Sequence, residues 1–222
     1  MSRVRAPQAV LWDMDGTLIN TEPLWAQATF ELSELLGKRL SAEERRKAEG
    51  VSFPKALSII TTWTGYSLQP GDTERLKRWM QERMQQLLGQ GIELNPGIRH
   101  VLDILRDHGI PMAIATNTER ALAQTCIDFI GNDYFQATVT GDEVSNPKPA
   151  PDMYLKAAQL VGAEPSRCIA VEDSQAGMQA AIRAGARVLG LADYVPKPAT
   201  RITFSDLQSA TLHDVARWYS AP

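Results

Sequence analysis

The chain reads as an α/β protein, a parallel sheet covered by helices on both faces and carrying an inserted all-helical unit. Three observations predict this. Short apolar runs recur and alternate with segments of helical spacing through the C-terminal two-thirds. The stretch from about Thr21 to Leu94 shows helical spacing alone. Polar residues follow directly on several of the apolar runs, as they do where a buried strand ends at a ligand crevice.

The first run, Ala9 to Trp12, is short and wholly apolar, which suits a strand buried on both faces. Pro23 to Leu36 then places Leu24, Ala28, Leu32 and Leu35 on one helical face, with Gly37 as a stop. Ser41-Ala42-Glu43-Glu44 has the pattern of a capping box. Pro54 to Thr64 and Thr73 to Leu88 make two more helices, the second striped by Leu76, Trp79/Met80, Met84 and Leu87. These four helices are expected to form a separate unit, residues 20–94, with hinges at Leu18 to Glu22 and Gly89 to Asn95. Residues 1–19 and 95–222 then form the α/β core. In that core Asn95 is the expected cap of a helix from Pro96 to His108, ended by Gly109. Strands follow at Met112 to Ala115, Ala137 to Val139, Cys168 to Val171 and Val188 to Leu191. Between them lie helices at Glu119 to Ile130, Asp152 to Val161 and the alanine-rich Ser174 to Ala184.

Composition narrows the function classes. At 222 residues the chain supports one substantial core and a smaller second unit. A net charge of −3 gives no electrostatic case for nucleic acid or an anionic membrane as partner. Arg45-Arg46-Lys47 is flanked by Glu43, Glu44 and Glu49, which cancel its field and make it a solvated helix face. The two cysteines, Cys126 and Cys168, are expected to be buried small residues, neither a disulfide nor a metal pair. The N-terminus, Met1 to Pro7, has no apolar leader and no run approaches the length of a membrane span, so a cytoplasmic setting is expected.

The chemistry is carried by four places that each follow an apolar run. Asp13 and Asp15 stand two apart in Asp13-Met14-Asp15-Gly16-Thr17, so an extended chain would turn both carboxylates to one side. Like charges placed together call for a cation or an electrophile between them. Thr116-Asn117, Lys148 and Glu172-Asp173 complete the set. Each has a plain alternative: Asp-Gly as a turn, Thr116-Asn117 and Glu172-Asp173-Ser174 as helix caps, Lys148 as a surface lysine among prolines. Together, after successive strands, two acidic pairs, a hydroxyl, an amide and a lysine describe a Mg²⁺ site beside a phosphate site.

In these four motifs, in this order and across essentially the whole chain, the sequence resembles the haloacid dehalogenase (HAD) superfamily of phosphatases. The resemblance is to members with a Rossmann-like, HAD-like core and a helical cap inserted after the first strand, near the beta-phosphoglucomutase and sugar-phosphate phosphatase group. It implies that Asp13 is a nucleophile forming an aspartyl-phosphate and that Asp15 is the general acid and base, its backbone carbonyl also a metal ligand. It implies phosphate contacts from Thr116 and the Asn117 backbone, charge neutralisation by Lys148, and Mg²⁺ held by Asp13, Asp15, Glu172 and Asp173. Gly16 would permit the tight turn beside the phosphate. Asp15 also separates the chain from the dehalogenase and phosphonoacetaldehyde-hydrolase branches, where that second acid is replaced.

Two departures bear on the reaction. The mutase group has a histidine twelve residues after the nucleophile, where this chain has Trp25, and a cap arginine where it has Phe53. Their loss favours hydrolysis over return of phosphate to a bisphosphate. Asn20 replaces the usual aspartate ahead of Thr21-Glu22-Pro23, which bears on the hinge and not on the metal shell. Phe53 and Lys55 are the candidate substrate contacts of the cap, an apolar face and a charge. The expected substrate is a small phosphate monoester, a sugar phosphate first, with phosphoglycolate, a nucleotide, or a phosphosugar mutase reaction as alternatives. A monomer is expected.

Overall fold

The computed structural model describes residues 6–220, so the expected leaderless start, Met1 to Arg5, lies outside the described residues. Strand β1 (Ala9–Trp12) is followed by helices α1 (Glu22–Leu35), α2 (Ala42–Lys47), α3 (Phe53–Thr64), α4 (Asp72–Leu88) and α5 (Ile98–Asp107). Then come β2 (Met112–Ala115), α6 (Arg120–Ile130), β3 (Ala137–Val139), α7 (Asp152–Leu160), β4 (Cys168–Glu172), α8 (Gln175–Ala184) and β5 (Arg187–Gly190). The chain ends with β6 (Thr200–Arg201), α9 (Phe204–Gln208) and α10 (Leu212–Ser220). The six strands form one parallel sheet in the order β3-β2-β1-β4-β5-β6. The order reverses between β1 and β4, and such a switch point opens a crevice at the C-terminal strand ends.

Alternation along β1 divides the core. Ala9 and Leu11 face a layer built by α7 and α8, where Ala157, Ala158, Ala180 and Ala181 meet Ala113, Ala115 and Ala170. These small side chains let the helices lie close on the sheet, as the alanine-rich pattern predicts. Val10 and Trp12 face the other way, against Val101, Leu105, Ile127, Leu207 and Val215 from α5, α6, α9 and α10. Both cysteines are buried and free.

Helices α1 to α4 enclose a stripe of buried Ala28, Leu32, Leu57, Ile60, Leu76, Met84 and Leu87, as their spacing predicts. Arg83 of α4 reaches Glu31 of α1 through two nitrogens at 2.5 and 2.8 Å, tying the ends of this segment together. Ser41 caps α2 by accepting from the Glu44 N–H at 3.2 Å. The reciprocal half of the expected capping box is not made, because Glu44 pairs with Lys47 at 2.6 Å instead.

The two chain crossings into and out of this segment run side by side. Ile19 bridges Leu94 in antiparallel sense, the Asn20 N–H donates to Glu93 at 2.9 Å, and the Asn95 N–H donates to Leu18 at 3.0 Å. Asn95 is a correction to the sequence reading. Helix α5 begins at Ile98 behind Gly97, and the Asn95 amide instead donates to the carbonyls of Gly16 and Thr17 at 2.8 and 3.0 Å. An amide that could have capped a helix thus ties the returning crossing to the loop after β1. Strand β6 and helices α9 and α10 add to the elements expected from sequence. No helix among the described residues is long and apolar enough to cross a membrane.

Candidate active site

The polar residues that follow the strands converge at the β1/β4 switch point. Asp13 directly follows β1, and its N–H donates to Val171 of β4 at 3.0 Å, which holds its side chain at the crevice. Glu172 is the last residue of β4 and Asp173 the next. Oxygen atoms of Asp13, Glu172 and Asp173 all lie within 4.8 Å of one another. Gly16 sits at φ +83°, and a Cβ there would collide with the Asp173 carboxylate. Gly177, in the first turn of α8, is likewise bare because a side chain would overlap Glu172. Ser174 accepts from the Gly177 N–H at 3.0 Å, so the capping role weighed for this segment is also filled.

Lys148 arrives from the loop before α7, and its ammonium donates to Asp13 and to Glu172, both at 2.6 Å. It is 3% exposed, so the surface-lysine alternative is excluded. Asn117 positions this loop: its side-chain oxygen accepts from the Lys148 N–H at 3.0 Å and its amide reaches Gly50 at 3.2 Å. Tyr154 of α7, which the sequence reading did not single out, donates its hydroxyl to Glu172 at 2.6 Å. No spacing in the chain announces it; a tyrosine on an otherwise buried helix face was the available hint.

The electrostatics of this cluster are unbalanced. Burial pushes the Asp13 carboxyl up to about 7, with Glu172 adding to the rise and Lys148 opposing it. Asp173 is driven well above the usual carboxylate range by burial and by the Asp13 and Glu172 charges. Burial alone would lower the Lys148 ammonium; the Asp13 and Glu172 carboxylates outweigh it and hold that group above its ordinary range. Three carboxylates share one ammonium, so full ionisation leaves an excess of two negative charges in a buried place. Two protons or one divalent cation would balance them. The donor set is oxygen alone, which suits a hard cation. The residues present therefore fit a metal ion.

Asp15 does not join that cluster; its carboxylate turns toward α1 and β2. One oxygen accepts from Thr21 at 2.6 Å and from the Trp25 indole at 2.9 Å. The other accepts from Thr118 at 2.7 Å and lies 3.3 Å from the Thr116 hydroxyl. The two acids, alike in sequence, thus stand in different surroundings: Asp13 against a lysine and two acids, Asp15 among hydroxyls and an indole. Any metal contact by Asp15 is left to its backbone.

Both groups open into a cavity of about 740 Å³ roofed by the inserted helices. Thr116, Asn117, Lys148 and Asp173 line it from the core, and Glu22, Trp25, Arg45, Glu49, Phe53 and Gln81 line it from the insert. Phe53 takes the place expected of it. Lys55 does not: it is exposed in the first turn of α3 and lies off the cavity wall, since the helix turns it to solvent. The basic run was read as a solvated face, but Arg45 is buried and paired with Glu22 inside the insert. Its neighbour Arg46 lines the cavity. Lys77 and Gln81 of α4 reach Glu119 at 2.6 and 2.9 Å, closing the insert onto the core beside Thr116.

The chain is similar to known proteins over most of its length. The chain is 32% identical over 180 residues to a phosphorylated carbohydrates phosphatase of Thermotoga maritima, covering 80% of this chain and 82% of that one. It is also 32% identical over 179 residues to the fructose-1-phosphate phosphatase YqaB of Escherichia coli, covering 79% and 92%. Among solved structures it is similar to CbbY from Rhodobacter sphaeroides in complex with phosphate. The TM-score is 0.78 at 29% identity, over 90% of this chain and 96% of that one. Residues 7–185 match the family model described as haloacid dehalogenase-like hydrolase, and the chain belongs to that family.

Proposed function

We propose that this protein is a Mg²⁺-dependent phosphatase that hydrolyses small phosphate monoesters, sugar phosphates foremost, through a phosphorylated Asp13. The observation that carries the reading is Lys148 held at 2.6 Å from Asp13 within an over-acidic, buried oxygen cluster. The phosphatases of phosphorylated carbohydrates and of fructose 1-phosphate among its relatives support the substrate class. The inserted segment, residues 20–94, acts as the cap that encloses the substrate.

Asp13 attacks phosphorus as a carboxylate, which needs no base to activate it. Lys148 offsets the repulsion between that carboxylate and the phosphoryl oxygens. Thr116 and the Asn117 backbone donate to the same oxygens. Asp15 gives its proton to the leaving oxygen and then takes one from the water that hydrolyses the phosphorylated Asp13. Asp13, Asp173, Glu172 and the Asp15 backbone carbonyl would hold the cation, which supplies charge neutralisation at the transferring phosphoryl group. Tyr154 and Ser174 keep Glu172 oriented from behind. The cap excludes water while the cavity is loaded.

The test is phosphate release from a panel of monoesters, with fructose 1-phosphate, hexitol phosphates, phosphoglycolate and nucleoside monophosphates represented. Release from sugar phosphates that stops on chelation and returns with Mg²⁺ is the expected result. No release from any ester, including p-nitrophenyl phosphate, overturns the reading. Hexose 1-phosphates in the panel, with products identified, expose any transfer in place of hydrolysis.

A second expectation follows from Asp13, whose carboxyl holds its proton up to about 7. A cation must displace that proton to bind. Mg²⁺ affinity is therefore expected to fall by about tenfold or more for each pH unit below 7, because Asp173, also held above the usual carboxylate range, must give up its proton as well. Calorimetric titration with Mg²⁺ between pH 5.5 and 8.5 checks this; an affinity independent of pH contradicts it.

A further inference from the structure

Four side chains converge on the Asp15 carboxylate, and they are not equivalent. Oδ1 accepts from Thr21 Oγ1 at 2.6 Å and from Trp25 Nε1 at 2.9 Å. Oδ2 accepts from Thr118 Oγ1 at 2.7 Å and faces Thr116 Oγ1 at 3.3 Å. A threonine hydroxyl donates or accepts as its partner requires, whereas an indole N–H only donates. Of the four, Trp25 alone cannot reverse its role when Asp15 takes up a proton.

We propose that Trp25 is a positioning residue for Asp15. By keeping Oδ1 an acceptor, its indole N–H confines the transferable proton to Oδ2, on the side of the phosphate-facing Thr116. The carboxyl then presents its proton toward the scissile bond and its carbonyl oxygen toward α1. Thr118 and Thr116 can both turn to accept from a protonated Oδ2, so neither obstructs it. Thr21 donates to the same oxygen as the indole and reinforces the choice. The Thr118 contact and the hydrogen bond from the Thr118 main-chain N–H to the Thr116 hydroxyl at 3.1 Å keep these two hydroxyls in register.

The inference rests on the phosphatase reading and adds a proton path to it. In the first step the bond from Asp13 to phosphorus forms and the bond from phosphorus to the leaving oxygen breaks. The Oδ2 proton passes to that oxygen. In the second, water attacks phosphorus, the Asp13–phosphorus bond breaks, and the proton lost by water returns to Oδ2. Trp25 belongs to α1 in the inserted segment, whereas Asp15 belongs to the core. The acid is therefore set correctly only while α1 lies where the structure has it, over the cavity.

A leaving group that needs no proton separates this role from simple packing. We compare Trp25→Phe, which keeps an aromatic ring and removes the N–H, on p-nitrophenyl phosphate and on an alkyl ester such as glycerol phosphate. The quantity is kcat/KM, which reports formation of the phosphorylated Asp13. The expected loss is about 10- to 100-fold on the alkyl ester and no more than about 3-fold on the aryl ester, the selectivity of a weakened general acid. Trp25→Leu, which also removes the donor, is expected to show the same selectivity and serves if the Phe variant unfolds. Equal losses on the two esters, or none, overturn the inference and leave the phosphatase reading intact. Wild-type protein that releases phosphate from neither ester overturns both.

Discussion

Asp13→Asn is expected to abolish phosphate release, by about 10⁴-fold or more, on every ester the wild-type protein hydrolyses. The size follows from the nature of the step: a neutral amide oxygen does not displace an alkoxide, and no neighbouring group can replace it. Asp15 is engaged by Thr21, Trp25 and Thr118, and Glu172 by Lys148 and Tyr154. The variant should still fold, because Lys148 keeps Glu172 at 2.6 Å as partner. Its stability against pH should differ from that of the wild type in a defined sense. The Asp13 carboxyl stands at about 7 when folded, above its ordinary 3.8, so the folded state binds the proton more tightly than the unfolded one. That contribution to stability is complete below about 3.8 and is lost as pH rises through about 7. Asn at this position removes the dependence. Chemical denaturation of the metal-free proteins from pH 4 to 8.5 should therefore show a steeper decline for the wild type. Added Mg²⁺ should raise the melting temperature of the wild type more than that of the variant. Residual turnover near the wild-type rate would remove Asp13 from the role of nucleophile.

The parts of this site legible in the sequence are those that depend on strand ends. A buried strand betrays itself by an unbroken apolar run, and the residue that closes it must stand at the crevice. Asp13, Thr116, Glu172 and Asp173 could be placed on that ground alone, and the strand order made them neighbours. Lys148 was placed on the same ground, shortly after the weak third strand, but in a proline-rich loop whose path no periodicity reports, so its role came from the resemblance. What the chain concealed were contacts made across the insert. The indole of Trp25 on Asp15, Lys77 on Glu119 and the buried Arg45–Glu22 pair each join residues from different elements. Arg45 in particular stands in a run of charges whose local composition describes a solvated helix, and tertiary packing overrides that preference. Asn95 was misread for a related reason. The same amide satisfies a helix end or two loop carbonyls, and the choice is made by Gly16 and Thr17, nearly eighty positions away in the chain. The C-terminal helices left a fainter trace. Thr203 and Thr211 each cap a helix whose third residue is an aspartate, Asp206 and Asp214, but those helices are short and their apolar stripes brief.

Lys148→Met should damage both activity and stability, with the two losses differing in their response to pH. The substitution keeps an unbranched side chain of similar length and removes the one ammonium shared by Asp13 and Glu172. Without it the repulsion between Asp13 and an incoming phosphate is unopposed on that side. A fall in kcat/KM of about 10³-fold is expected, the scale found when a positioned charge is taken from a transition state. For the metal-free fold, removing one partner of a buried ion pair costs about 3–5 kcal/mol, because the remaining charges lie buried without compensation. That cost should shrink as pH falls. Asp13 and Asp173, already held above the usual carboxylate range, gain protons more readily once the opposing ammonium is gone. The variant should thus approach wild-type stability near pH 5 and fall furthest behind it near pH 8. Mg²⁺ should recover part of the lost stability at pH 8, since a divalent cation supplies the missing positive charge. It should not recover the rate, because a cation between the carboxylates does not take the place of an ammonium directed at the phosphoryl oxygens. Denaturation curves at three pH values, each with and without Mg²⁺, separate the two effects. A stability loss that does not vary with pH would mean that Lys148 supports the fold by packing and not by charge.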